Sequence, residues 1–365
     1  MALALGVAWA HMGGHINGVN TGVTGVVCFF MVSGYAMSAL IADSFPRLSD
    51  APRFYVDRFL RLAPQYYFYL AICAFTVLVI GWRETPSQEG APDAVNVMAN
   101  VTIIPLTFWM FNKSIGSLIL NIPSWSVGLE MCFYLVLPWL LRDRRDIRYA
   151  AALGAGVFAL ATHGAIPHPS PFWHGIIADC FSYRLLPGTL VFFLAGVALQ
   201  RKDWLLFFSL AAFLEADALS LWLAGKISFA VNMHLLAGAA VGLVMVPLLA
   251  LLPRNAIDEK IGAASYGAYL SHWIFTSALQ HHRGEAWATA VVLLGAIASG
   301  WASYRWIEAP TVRLRKAMRA RAGESSPAWG CPVTSFRRAL GGIRCPASWR
   351  GHAFRWRASD RQGAL

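Results

Sequence analysis

The sequence predicts an all-α, polytopic transmembrane helical bundle of about ten spans, with both termini in the cytoplasm. Three observations predict it. Hydrophobic residues make up 57% of the chain and charged residues only 13%, about half the charged share of a soluble domain. The apolar residues gather in long runs close to the ~20 residues a helix needs to cross a bilayer. Lys and Arg are also unevenly divided between alternate loops.

In chain order the expected spans are 1–14, 23–42, 64–82, 124–141, 149–164, 184–200, 204–224, 228–252, 261–280 and 286–305. The first run lacks the basic flank and small-residue cleavage site of a signal peptide, so it reads as a span. Segment 96–111 is apolar but carries Pro105 with Asn and Thr, which fits a re-entrant or interfacial piece. Loops 43–63, 142–148, 201–203 and 253–260, with Arg305, hold thirteen Lys or Arg, and the alternate loops hold five. The positive-inside rule places the richer set, and with it both ends of the chain, in the cytoplasm.

The net charge of +11 is local, because +10 of it lies beyond residue 312. Basicity therefore gives no nucleic-acid signal for the main body. The domain organisation that follows is a membrane-embedded domain, 1–316, and a basic tail, 317–365. The tail is rich in Arg, Gly, Ser, Pro and Trp without periodicity, the composition of a disordered cytoplasmic extension. Six cysteines without a CxxC pair or ligand spacing read as small hydrophobes, so no metal is expected.

An ionisable side chain near the bilayer centre costs roughly 2.5–3.5 kcal/mol on insertion scales, so its retention calls for a reason. His11 falls about 15 Å along the first span and His272 about 16 Å into the ninth. Glu130 should sit about 9 Å deep from the outer side, so the three groups can meet at one internal cavity. A helix-packing role fits each of them taken singly. Arg58 and Arg61 share one helical face at the cytoplasmic surface. Their planar guanidiniums suit phosphates, and they suit plain membrane anchoring equally.

Five blocks then resemble one family in order. They are Gly25-Val-Val-Cys-Phe-Phe-Met-Val-Ser-Gly-Tyr35, Phe54 to Pro64, and Pro123-Ser-Trp-Ser-Val-Gly-Leu-Glu-Met-Cys-Phe-Tyr134. Ser265-Tyr-Gly-Ala-Tyr-Leu-Ser-His272 and Tyr304-Arg-Trp-Ile-Glu-Ala-Pro310 follow. The chain resembles the acyltransferase-3 family of integral membrane O-acyltransferases, over about residues 1–316. The resemblance implies transfer of an acyl group, acetyl, from cytoplasmic acetyl-CoA to a hydroxyl of a carbohydrate or lipid-linked sugar. It also implies a multi-pass protein of the cytoplasmic membrane.

On this reading His11, Glu130 and His272 are catalytic, and Arg58 and Arg61 hold the donor phosphates. Ser33, Trp125, Ser126 and Tyr266 serve the substrates. A neutral hydroxyl is a poor nucleophile, and imidazole has the right pKa to take its proton.

Three positions depart from the family pattern. Its first-span Arg would fall just before Met1, Val27 stands where an acid is usual, and Asp57 stands where an Arg is usual. A catalytically impaired relative is therefore an open alternative. A lipid or sugar transporter, which also keeps midplane ionisable residues, is another.

Overall fold

The computed structural model describes residues 1–82, 86–166, 180–225, 230–253 and 255–321. It is an all-α membrane protein, with one small hairpin beside its helices. Each of the ten expected spans corresponds to a helix. They are α1 (Ala2–His11), α2 (Thr21–Ser44), α3 (Ala51–Ala74, prolonged by a π turn at Phe75–Ile80), and α6 (Ser124–Leu140). Next come α7 (Arg144–Thr162), α8 (Leu186–Arg201), α9 (Trp204–Leu223) and α10 (Ala230–Leu251). The last two are α11 (Ala256–Ala278) and α12 (Ala286–Ser303).

Among the described residues six stretches are long and apolar enough to cross a bilayer: Thr21–Ser44, Leu48–Ile80, Phe181–Arg201, Trp204–Leu223, Met233–Leu251 and Ala286–Met318. The helices Ala2–His11 and Ser124–Leu140 are apolar but shorter. Among the expected spans, α7 opens on Arg144, Arg145 and Asp146, and α11 on Asp258, Glu259 and Lys260, which dilutes their apolar character. The chain is therefore a multi-pass membrane protein with six clear spans by length and composition.

Segment 96–111 forms short pieces. Helix α4 (Ala94–Thr102) and a 3₁₀ run at Ile104–Phe111 meet at Ile103, whose φ is 68°. A five-residue helix, α5 (Lys113–Ser117), follows. At the other end a π turn, Tyr304–Glu308, joins α12 to α13 (Ala309–Arg321). The basic tail expected after residue 316 is thus helical at its start, and from 322 onward it lies outside the described residues. The loop expected at 43–63 is also shorter than its charges suggested, since α3 begins at Ala51 and carries Pro64 inside it.

Local chemistry sets these boundaries. Asn20 caps α2 by accepting from the amides of Gly22 (2.8 Å) and Val23 (3.2 Å), donors the first turn leaves unsatisfied. Asn255 does the same for α11. Between α1 and α2, strands β1 (His15–Ile16) and β2 (Val19–Asn20) pair antiparallel around Asn17-Gly18, both at positive φ, as a two-residue hairpin turn requires. His15 is exposed there.

Helix α8 is buried on nearly every side and forms the spine of the core. It crosses α2 at close range, with Gly34 against the Phe193 carbonyl and Gly196 against the Met31 carbonyl. A Cβ at either glycine would collide with backbone, so small residues permit the approach that membrane helices use in place of a hydrophobic drive. Phe193 stacks on Phe133 (4.0 Å) and on Phe30 (4.8 Å) at this crossing, bringing α2 and α6 to one side of the spine.

Candidate functional site

Helix α1 ends at His11 because Gly13 (φ 90°) and Gly14 turn the chain away. The Gly284 amide donates to the Met12 carbonyl (3.0 Å), which ties the α11–α12 connection over that end. The His11 ring stacks on His272, with centroids 5.3 Å apart and planes 29° from parallel, and meets Trp273 edge-on at 5.1 Å. Two helices more than 250 residues apart in sequence are thereby joined through imidazoles.

His272 is fully buried, and its Nδ1 lies 2.5 Å from the Tyr269 carbonyl. A carbonyl can only accept, so Nδ1 carries the proton and Nε2 keeps its lone pair. Among the described residues that Nε2 has no hydrogen-bond partner. Leaving a buried polar atom unsatisfied costs about 1–3 kcal/mol. No hydrogen bond reaches the His11 ring among the described residues.

Helix α11 carries this polarity across the bundle. Tyr266, Tyr269 and His272 follow at three-residue spacing, covering about 9 Å of rise. The Tyr269 hydroxyl and Ser126 Oγ are 2.6 Å apart, and the Tyr269 and His272 rings are 5.7 Å apart. Beside Ser126, the Trp125 ring meets Tyr183 at 5.1 Å and lies 5.1 Å from the Arg184 guanidinium, which also covers Trp109 at 5.2 Å. Tyr266 donates to the Leu62 carbonyl (3.3 Å) and faces Arg61 at 5.7 Å.

Glu130 stands apart from the histidines. It accepts from Ser33 Oγ (2.8 Å) and from the Tyr134 hydroxyl, which binds α6 to α2. The structure brings His11 and His272 into ring contact, while Glu130 is held by Ser33 and Tyr134.

On the side of the basic loops, the two arginines singled out in sequence are both ion-paired. Arg58 is buried and bonds Asp57 through Nε (3.1 Å) and Nη2, with Nη1 3.4 Å from the Met37 sulfur. Arg61 pairs with Glu308 in the π turn. Asp57 also takes a two-pronged bond from Arg315 of α13, at 3.0 and 2.8 Å. The residue that departs from the family pattern at position 57 is therefore the anchor for two guanidiniums.

Sequence reasoning missed Arg315, Glu308 and Arg184. The first was counted with the tail charge and the last with the loops, although Glu308 and Arg315, seven apart, already share one helical face. Asp217 lies 3.3 Å from His163 Nε2 and accepts from Thr162 Oγ1 at 3.1 Å. Ser220 approaches the same His163 nitrogen (3.4 Å), so Asp217 and Ser220 do not flank the ring from opposite sides as a nucleophilic triad requires. Among the described residues no three His, Cys, Asp or Glu side chains are gathered as a metal site would need.

The sequence model of a family described as "Acyltransferase domain" matches residues 3–305. The chain is also similar to nodulation protein 10 of Rhizobium leguminosarum bv. viciae, with 28% identity over 348 residues, covering 86% of this chain and 90% of that one. An uncharacterised protein of Aquifex aeolicus (strain VF5) is 29% identical over 196 residues, covering 50% of this chain and 82% of its own. No solved structure matches the chain significantly. A match over most of the length, joined to the paired histidines and the ordered blocks of residues around them, establishes that this membrane protein belongs to the acyltransferase-3 family.

Proposed function

We propose that this acyltransferase moves an acetyl group from acetyl-CoA, taken from the cytoplasmic side, to a hydroxyl of a carbohydrate or glycolipid-like acceptor. The observation that carries this reading is the His11–His272 stack, reached from the arginine side through Tyr266 and Tyr269. Arg58 and Arg61 suit the donor phosphates, since a guanidinium fork matches phosphate oxygens. The long pantetheine arm would then carry the thioester along α11 toward the imidazoles.

The acceptor oxygen attacks the thioester carbon, the new C–O bond forms and the C–S bond breaks. His11, unconstrained by hydrogen bonds, takes the hydroxyl proton. His272, its tautomer fixed by the Tyr269 carbonyl, holds the partner ring, and coenzyme A leaves as the thiol after receiving a proton. Trp125, Ser126 and Ser33 line the acceptor side, with Glu130 fixing Ser33. Donor and acceptor thus approach from opposite faces of a ten-span bundle in the cytoplasmic membrane, with both termini in the cytoplasm. That arrangement follows the loop charges.

The match of residues 3–305 to the acyltransferase family supports the assignment to acyl transfer. The test is mass spectrometry of surface glycans from cells with and without the protein. A gain of one acetyl unit per modified sugar is expected. Identical glycan profiles, with acetyl-CoA unconsumed by membranes, would overturn the reading and favour a transporter.

A further inference from the structure

The buried charges around Asp57 do not balance in the way a simple brace would. Arg61 and Glu308 form a one-to-one pair. Asp57, however, is shared by two guanidiniums, Arg58 and Arg315, and all three side chains are at most 7% exposed. One carboxylate neutralises one guanidinium. A second buried cation on the same acid carries a desolvation cost that its pairing does not repay. Arg58 and Arg315 meet on that one carboxylate, and Arg61 follows Arg58 by one turn of α3, so guanidiniums from two helices gather there. Such crowding suits a multiply charged anion whose oxygens accept several charge-assisted bonds.

We propose that Arg315 of α13 is a third ligand for the phosphates of coenzyme A, acting with Arg58 and Arg61, and that Asp57 is the positioning residue that aims it. This rests on the donor assignment above and extends it to a helix beyond the matched residues 3–305. Asp57 holds both prongs of the Arg315 fork, at Oδ1 and Oδ2, so the guanidinium is oriented before any donor arrives. The departure at position 57 is then no loss of a cationic ligand, because the carboxylate brings in a guanidinium from α13.

The experiment is titration of the full-length protein in detergent with coenzyme A, comparing parent, Arg315→Ala, Arg315→Lys and Asp57→Asn, with melting temperatures recorded for each. Acetyl-pantetheine, which lacks the nucleotide phosphates, serves as the control donor in turnover assays. Arg315→Ala is expected to weaken coenzyme A binding at least 10-fold, and Arg315→Lys less. Asp57→Asn keeps one acceptor oxygen but replaces the other with an NH2 that cannot accept from the Arg315 fork, so it is expected to weaken coenzyme A binding, though less than Arg315→Ala. Arg315→Ala should lower turnover with acetyl-CoA more than turnover with acetyl-pantetheine.

Equal weakening by Arg315→Ala and Asp57→Asn would show a structural brace and overturn the proposal. So would parental binding by Arg315→Ala, or a parent that does not bind coenzyme A. Should Arg315→Ala not fold, Arg315→Lys against Asp57→Asn decides the same point. A parent that binds coenzyme A through Arg315 without acetylating any glycan would leave this site standing and remove the transfer reading.

Discussion

His272 commits its Nδ1 proton to the Tyr269 carbonyl and so presents a lone pair at Nε2, which has no hydrogen-bond partner among the described residues. That is the arrangement by which a backbone acceptor fixes an imidazole tautomer. His11, stacked on it, has the freedom His272 lacks. Replacing His272 with Ala should therefore lower kcat by about 10²–10⁴, the usual contribution of positioned acid–base groups. The KM for acetyl-CoA should stay near the parental value, because the donor phosphates bind on the arginine side. Steady-state kinetics on isolated membranes check both. A rise in KM with kcat preserved would move His272 out of the reacting centre.

The histidines could be singled out from sequence, because a titratable side chain in an apolar run stands out against its surroundings. Their pairing could not be read there, since it depends on how α1 and α11 lie together. The same limit hid the Ser126–Tyr269 bond and the Asp217–His163 contact, each made across helices distant in the chain.

Among the elements, the α2–α8 crossing does most to set the geometry of the site, because α2 carries Ser33 to Glu130 and α8 supports α6 through Phe193. Gly196 meets the Met31 carbonyl there without room for a Cβ. Gly196→Leu is expected to destabilise the fold by at least about 1–3 kcal/mol, the usual cost of overpacking. It should also depress activity, since Ser33 would be displaced from Glu130. Thermal unfolding in detergent, with activity assayed on the folded fraction, measures the two effects separately. An unchanged melting temperature would mean that the helices are not held at this distance in the membrane.

Hydropathy placed each expected apolar run on a helix, because burying a backbone in lipid leaves only closed helical hydrogen bonding, and six stretches among the described residues are long and apolar enough to cross a bilayer. It misjudged the starts of α3 and α11. The first turns of both carry charges that face water or pair internally, and a charged helical turn looks like a loop to a hydropathy window. Helix α13 was lost to the tail for the same reason, since its arginines hid the fact that Arg315 is buried on Asp57.

At the scale of the whole molecule, polar side chains run from the arginine cluster through Tyr266 and Tyr269 to the histidine stack, and on to Trp125 and Arg184. The proposed orientation sets the arginines in the cytoplasm and the Trp125 end outside. Reporter fusions test it simply. Cytoplasmic reporters should be active at both termini, and an export-dependent reporter inserted between His15 and Val19 should be active outside. The opposite pattern would place the arginine cluster away from the acetyl-CoA pool and end the account. The family could be read from five short blocks in order, whereas the acceptor left no mark in the sequence, because sugars are recognised by surfaces assembled from several connections.

The central claim is that the imidazole of His11 serves a thioester supplied from the arginine side. Its most direct measurement is transfer of labelled acetyl from acetyl-CoA to endogenous glycans in membranes holding either the parent or His11→Ala at equal, folded amounts. The account predicts robust labelling by the parent and a fall of about 10²–10⁴ in the variant, with coenzyme A binding unchanged. Labelling by His11→Ala at the parental rate would contradict it.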